Sequence, residues 1–224
     1  MTYRILFVDE QKTEQDDFVD YVEKHSEFEI EPVTCLPLSS MEEMIMEIVE
    51  LNPNALITDF MLNDIKQDVK YNIPYNGVEL VNEFCVIKKG FPCFIMTSHE
   101  NQAISQSEDV NIVYVKKLFN NEDPENTSFI GKVVEQIKHY HKHLETAQSR
   151  ISELISKRNQ EPLTCKEEEE LIMLDSLIEG SIDNRSSIPN EIKKMSNSQK
   201  ISDLITRADI LISKFEQLNE KLSK

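Results

Sequence analysis

The chain has 224 residues, 39% hydrophobic and 29% charged, with 41 Asp and Glu against 24 Lys and Arg, a formal charge of -17 and a pI near 4.7. That composition excludes a wholly disordered chain, and the acidity disfavours phosphate backbones unless a local basic face overcomes it. No apolar run approaches the roughly 20 residues of a membrane span, and residues 1–8 do not read as a leader, so a cytoplasmic protein without a membrane partner is expected.

Tyr3–Val8 (YRILFV) is a short apolar run that ends at Asp9 and Glu10, as a buried parallel strand does. Thr13–Lys24 sets Phe18, Val19 and Val22 on one helical face, and Glu29–Cys35 makes a second strand. Ser39 or Ser40 caps a helix through Met44, Ile45, Ile48, Val49 and Leu51, with Glu42 and Glu43 in its first turn. Asn52-Pro53-Asn54 stops it, and Ala55–Thr58 (ALIT) is a third strand ending at Asp59. Val78–Lys88 reads as a helix, Cys93–Met96 and Ile112–Val115 as strands, and a long helix begins near Ser128. Strands alternating with helices imply a doubly wound, five-stranded parallel sheet.

Beyond residue 140 the pattern is helical only, and the charge changes with it. Residues 140–224 hold 13 basic and 15 acidic side chains, whereas the first 139 hold 11 and 26. The expected organisation is therefore an α/β domain over 1–140 and an all-α, coiled-coil-like domain over 141–224. No Gly or Pro separates residue 131 from residue 159, so the last helix of the first domain runs directly into the second. Glu161-Pro162 ends that helix, Thr164 and Glu167 make a capping box for the next, and the next ends near Gly180. In the last segment Ile201, Leu204, Ala208, Leu211, Phe215, Leu218 and Leu222 are spaced 3-4-3-4-3-4, an a/d stripe that must pack on another helix, in this chain or a second copy.

The ends of the strands collect the chemistry. Ligands of open parallel sheets bind outside the carboxyl ends of the strands. Here those ends carry Asp9 and Glu10, then Asp59, then Thr97 and Ser98, then Lys116 and Lys117. Three close carboxylates repel one another unless a hard divalent cation such as Mg2+ lies among them. An Asp beside such a cation can act as nucleophile towards a phosphoryl group, with a hydroxyl and a lysine on the remaining oxygens.

With FVDE, ITDF, NGVEL, IMTS and VKKLF in that order, residues 2–140 resemble the receiver domain of two-component response regulators. The resemblance implies a flavodoxin-like fold and a phosphoacceptor Asp59 charged by a histidine kinase. It also implies a Mg2+ site of Asp9, Glu10, Asp59 and the backbone carbonyl of Met61, with Thr97 as switch hydroxyl and Tyr114 as switch aromatic. The site lysine is Lys117 when aligned on Phe119, with Lys116 the alternative and Leu118 where the family has proline. The pattern also departs from the family between Asp59 and Gly77, a separation of 18 residues that contains an insertion over residues 63–76 (NDIKQDVKYNIPYN). Its acids Asp64 and Asp68 border the acceptor.

Several features have plainer readings. The cysteines Cys35, Cys85, Cys93 and Cys165 lack metal-like spacing and are expected as reduced thiols. His139, His141 and His143 are solvated helix surface, since residues two apart do not share a helical face. Glu167–Glu170 are the dipole-favoured start of a helix. A haloacid-dehalogenase-like phosphatase would need a second Asp two residues after its nucleophile, and Gln11 follows Asp9 instead.

The helical domain is nearly neutral and has no clustered basic recognition helix, so a protein-interaction output is expected rather than DNA binding. The expected function is that of a response regulator that catalyses only its own phosphorylation and dephosphorylation. Its partners would be a histidine kinase and a protein bound by the helical output. The alternatives are a phosphoryl reservoir or relay, and a degenerate receiver that serves as an interaction scaffold.

Overall fold

The computed structural model describes residues 2–25, 27–63, 69, 71–97, 113–115 and 128–193. In chain order these form β1 (Tyr3–Val8), α1 (Lys12–Lys24), β2 (Ile30–Cys35), α2 (Met41–Leu51), β3 (Ala55–Asp59), α3 (Gly77–Ile87), β4 (Cys93–Thr97), β5 (Val113–Val115), α4 (Phe129–Arg158) and α5 (Cys165–Asp183). The strands form one parallel sheet in the order β2-β1-β3-β4-β5, the flavodoxin-like arrangement. The five strands expected from the sequence are all present, with bounds within a residue or so of those read from the apolar runs.

Every residue of β3 and β4 is buried, because helices cover both faces of a parallel sheet. Alternation then sorts the strand side chains. Leu6, Val8, Leu56 and Ile95 meet Met44 and Ile48 of α2 and Leu80 and Phe84 of α3. Ile5, Phe7, Ile57, Phe94 and Met96 meet Phe18 and Val22 of α1 and Phe129, Ile130, Val133 and Ile137 of α4. Pro32 lies in β2, an edge strand, where its missing N–H costs no ladder bond.

Of the two serines offered as caps for α2, Ser40 is the cap: its Oγ accepts from Glu43 N at 3.2 Å. Asn52 closes that helix in the left-handed region at φ 46°. Asn76 and Glu79 form a reciprocal capping box at the start of α3.

The insertion belongs to the core. Val69, Ile73 and Tyr75 are buried in the same cluster as α2 and α3. Tyr71 Oη donates to Pro37 O at 2.8 Å and Tyr75 Oη to Leu38 O at 2.7 Å, which fastens the insertion to the β2–α2 connection. Asp64 and Asp68 lie outside the described residues.

The chain divides into two compact units. The first is Met1–Thr146 together with Gly180–Arg185, and it contains the sheet. Within it, Lys89 N donates to Gly180 O at 2.9 Å, and Asn184 Nδ2 donates to Val86 O at 3.1 Å. The second is Ala147–Glu179 together with the chain from Ser186 onward. There Arg150 grips Glu170 with Nε and Nη2 at 2.7 and 3.0 Å, and Lys157 meets Glu167 at 2.7 Å. These pairs run antiparallel and form a helical hairpin. Thr164 and Glu167 make the expected capping box across its turn. The helix expected to end near Gly180 continues to Asp183. The heptad segment over residues 201–222 lies outside the described residues.

Candidate functional site

The sheet order reverses at β1, which is followed on one side by β2 and on the other by β3. A crevice opens at such a switch point, outside the carboxyl ends of the two strands. Asp9 and Glu10 leave β1 there, and Asp59 is the last residue of β3. The register pairs Val8 with Thr58, which brings the three acids level.

All three acids are buried: Asp9 is 0%, Glu10 1% and Asp59 4% exposed. One carboxylate oxygen from each lies within 4.8 Å of the others. Buried like charges this close repel strongly, and a hard cation with oxygen ligands relieves that repulsion. The donor set is therefore a fit for a divalent ion such as Mg2+, and not for a soft metal that prefers sulfur or imidazole.

Backbone and amide donors hold these carboxylates in place. Gln11 N donates to Asp9 Oδ1 at 2.9 Å, and Met61 N donates to Asp59 Oδ2 at 2.7 Å. Gln11 Nε2 reaches Glu10 Oε1 at 3.4 Å. The buried amide of Gln15 donates to Asp9 O at 2.8 Å and pins the end of β1 to α1. Such fixed dipoles orient an anionic site before any ligand arrives.

Thr97 ends β4 and is fully buried. Its neighbour Met96 is the register partner of Asp59, so Thr97 extends one residue past the Asp59 position on the adjacent strand. Tyr114 stands on β5 opposite Met96. Its ring packs on Phe94 and on Phe129 at the start of α4, with centroids 5.9 and 5.0 Å away, and Lys132 Nζ is 5.9 Å from it. Ser98, Lys116 and Lys117 lie outside the described residues.

Cys35 ends β2 beside this edge, and its carbonyl accepts from Asp9 N at 3.4 Å. Burial, with a smaller contribution from Glu47, pushes its thiol up to about 11. Burial likewise raises the Tyr75 hydroxyl, against the lowering effect of its bond to Leu38.

Three contributors escaped the sequence reading. Gln15 lies one turn before Phe18 on the buried face of α1, a position that apolar periodicity does not mark. Asn76 and Glu79 carry an N-x-x-E spacing that signals a cap. The insertion carries Val69, Tyr71, Ile73 and Tyr75 in strict alternation, a signal of a half-buried extended segment.

The sheet order and the buried strand-end acids decide the fold. This is a flavodoxin-like fold. No family model and no curated protein matches the chain. Among solved structures it is similar to the anti-anti-sigma factor PhyR from Bartonella quintana, with 11% identity over 66% of this chain and a TM-score of 0.43. The match covers 52% of PhyR, so the chain corresponds to about half of that protein. It is also similar to a LuxR-family DNA-binding response regulator from Staphylococcus aureus, with 16% identity over 60% of this chain, 98% of that one, and a TM-score of 0.35. Among the described residues no helix is long and apolar enough to cross a membrane.

Proposed function

We propose that the protein is a response regulator that accepts a phosphoryl group on Asp59. The observation that carries this reading is the buried cluster of Asp9, Glu10 and Asp59 at the switch point of a 2-1-3-4-5 parallel sheet. Asp9, Glu10 and Asp59, with the Met61 carbonyl, would hold Mg2+, which would neutralise charge that develops on the transferring phosphoryl oxygens.

The chain's own residues do the rest. Met61 N fixes one oxygen of Asp59, which leaves the carboxylate oriented for attack on phosphorus. An Asp59 oxygen forms the new P–O bond as the P–N bond of a kinase phosphohistidine breaks and the imidazole departs. Thr97 and Lys117, or Lys116 in its place, bind phosphoryl oxygens. Closure of Thr97 on the acceptor changes the packing of Tyr114 against Phe129, which places the signal at the first turn of α4. The protein catalyses only this reaction on itself and its reversal by water.

A protein-interaction output is favoured by the second unit, where Ile155, Met173, Ile188 and Ile192 are 46%, 67%, 50% and 57% exposed. Apolar side chains so open to water suit a partner helix in the cytoplasm.

Intact mass after incubation with Mg2+ and a small phosphodonor tests the reading, with Asp59→Asn as control. A phosphoryl adduct on the wild type alone supports it. The absence of an adduct on both, together with no binding of Mg2+, would leave a receiver scaffold without phosphoryl chemistry. An adduct with no change in the hairpin's protection or oligomeric state would favour a phosphoryl reservoir.

A further inference from the structure

The helices α2 and α3 border a groove that phosphoacceptance leaves unused. Its volume is about 600 Å³. An amphipathic helix that only covers a sheet needs one apolar stripe, and α2 has that stripe in Met44, Ile45 and Ile48. It also carries Met46 and Val49, 59% and 41% exposed, off the stripe and lining the groove, with buried Ile87 of α3 beside them. Met41 and Ile45 complete its apolar lining, and the remaining lining side chains are charged. Glu42, Glu50 and Glu83 are exposed carboxylates, and the one cation, Arg185, is already engaged by Asp183 through Nε at 3.1 Å and Nη2 at 3.0 Å.

We propose that this groove docks an amphipathic helix with basic flanks, contributed by a protein partner. Its apolar side chains would cover Met46, Val49 and Ile87, and its Lys or Arg residues would face Glu42, Glu50 and Glu83. Charge complementarity selects this occupant. A second copy of the same face would set three carboxylates against three, and nucleic acid or an anionic lipid surface would meet the same repulsion. The flexible thioether of Met46 adapts to more than one apolar side chain. The lining groups all belong to the unit that contains the sheet, and the proposal is independent of Asp59.

The test uses the full chain with methyl-labelled methionine. The probe is a synthetic helical peptide of about 15 residues with Leu at i, i+3, i+4 and i+7 and Lys elsewhere, and the control is its Glu counterpart. The Met46 methyl signal is expected to shift saturably with the Lys peptide and to stay in place with the Glu peptide. Glu42→Gln, Glu50→Gln and Glu83→Gln together should weaken the Lys peptide roughly five- to tenfold, and Met46→Glu should abolish the saturable shift read at the methyl of Met41, which also lines the groove. Asp16→Asn, Asp17→Asn and Asp20→Asn together, on the exposed side of α1, should leave affinity unchanged. An unmoved Met46 signal overturns the proposal. So does equal weakening by the α1 set, which would mean diffuse attraction to an acidic chain. A Met46 shift with protein concentration alone would assign the face to self-association instead.

Discussion

Gly77 stands against the carbonyl of Asp59 so closely that a Cβ on it would lie 2.0 Å from the oxygen and 3.1 Å from Thr58 Cγ2. Its own N–H donates to Phe60 O at 3.0 Å. The first turn of α3 is thus packed onto the Asp59 end of β3, and only a residue without a side chain permits the approach. Gly77→Ala should push α3 away or displace Asp59, at a cost of about 1–3 kcal/mol in the manner of an overpacked core. Urea unfolding should show a lower midpoint at unchanged slope. A midpoint equal to wild type would mean that the contact yields freely.

The crowding of Asp9, Glu10 and Asp59 gives a paired expectation about stability. Without divalent cations, Asp59→Asn should melt above the wild type, because one of three mutually repelling charges is gone while an amide oxygen still accepts from Met61 N. With Mg2+ the order should reverse. An ion bound to the folded wild type alone adds about 2.7 kcal/mol at a hundred times its dissociation constant. Parallel melting curves with and without Mg2+ decide it; a wild-type curve indifferent to the ion would count against the site.

Tyr75→Phe should destabilise by about 1 kcal/mol, the net value of a hydrogen bond whose acceptor loses its partner. Tyr71→Phe should cost less, since Tyr71 is 43% exposed and water can replace its bond. If both were silent, the insertion would be held by Val69 and Ile73 alone.

Much of this architecture could be read before any coordinates. The strands announce themselves as short apolar runs because β3 and β4 are buried on both faces, and each ends on the residue that carries chemistry. Ser40, Asn52, Thr164 and Glu167 are local signals, settled within one helical turn, and all four behave as read. What escaped depends on residues distant in sequence. Tyr75 finds its acceptor 37 residues away at Leu38, and the need for glycine at position 77 depends on where β3 ends. Gln15 carries no periodic signal: on α1 it is buried with its amide on the carbonyl of Asp9.

The helical hairpin should lose stability in acid within a defined window. Its bond to Lys157, then those to Thr164, hold the Glu167 carboxyl at about 2, below the ordinary 4.5. A carboxyl depressed in the folded state contributes fully above the unfolded value and loses that contribution as pH falls from about 4.5 towards 2. Thermal melts followed by circular dichroism should show Glu167→Gln less stable than wild type at pH 7 and the difference closing across that window. A constant difference down to pH 2 would contradict the assignment.

Alkylation should rank the thiols. Cys165 is exposed and should react first. Cys35, whose thiol is pushed up to about 11, is thiolate in only about one part in a thousand at pH 8 and should lag far behind. Cys93, 4% exposed, should react only on unfolding. Timed mass spectrometry with iodoacetamide reads the order directly, and early labelling of Cys35 would show that the β2 end opens to solvent.

The segment Gly180–Arg185 has a bearing on how the protein is made. The sheet-bearing unit is interrupted in sequence: its last piece follows 33 residues, Ala147–Glu179, that belong to the other unit. Every described strand and the three acids precede residue 146 and emerge from the ribosome before it, yet Lys89 N and Val86 O receive their partners only when Gly180 and Asn184 emerge. A chain stopped at residue 146 would therefore keep the three acids and lose these two bonds, and the nascent protein completes its first unit only after the hairpin has been translated.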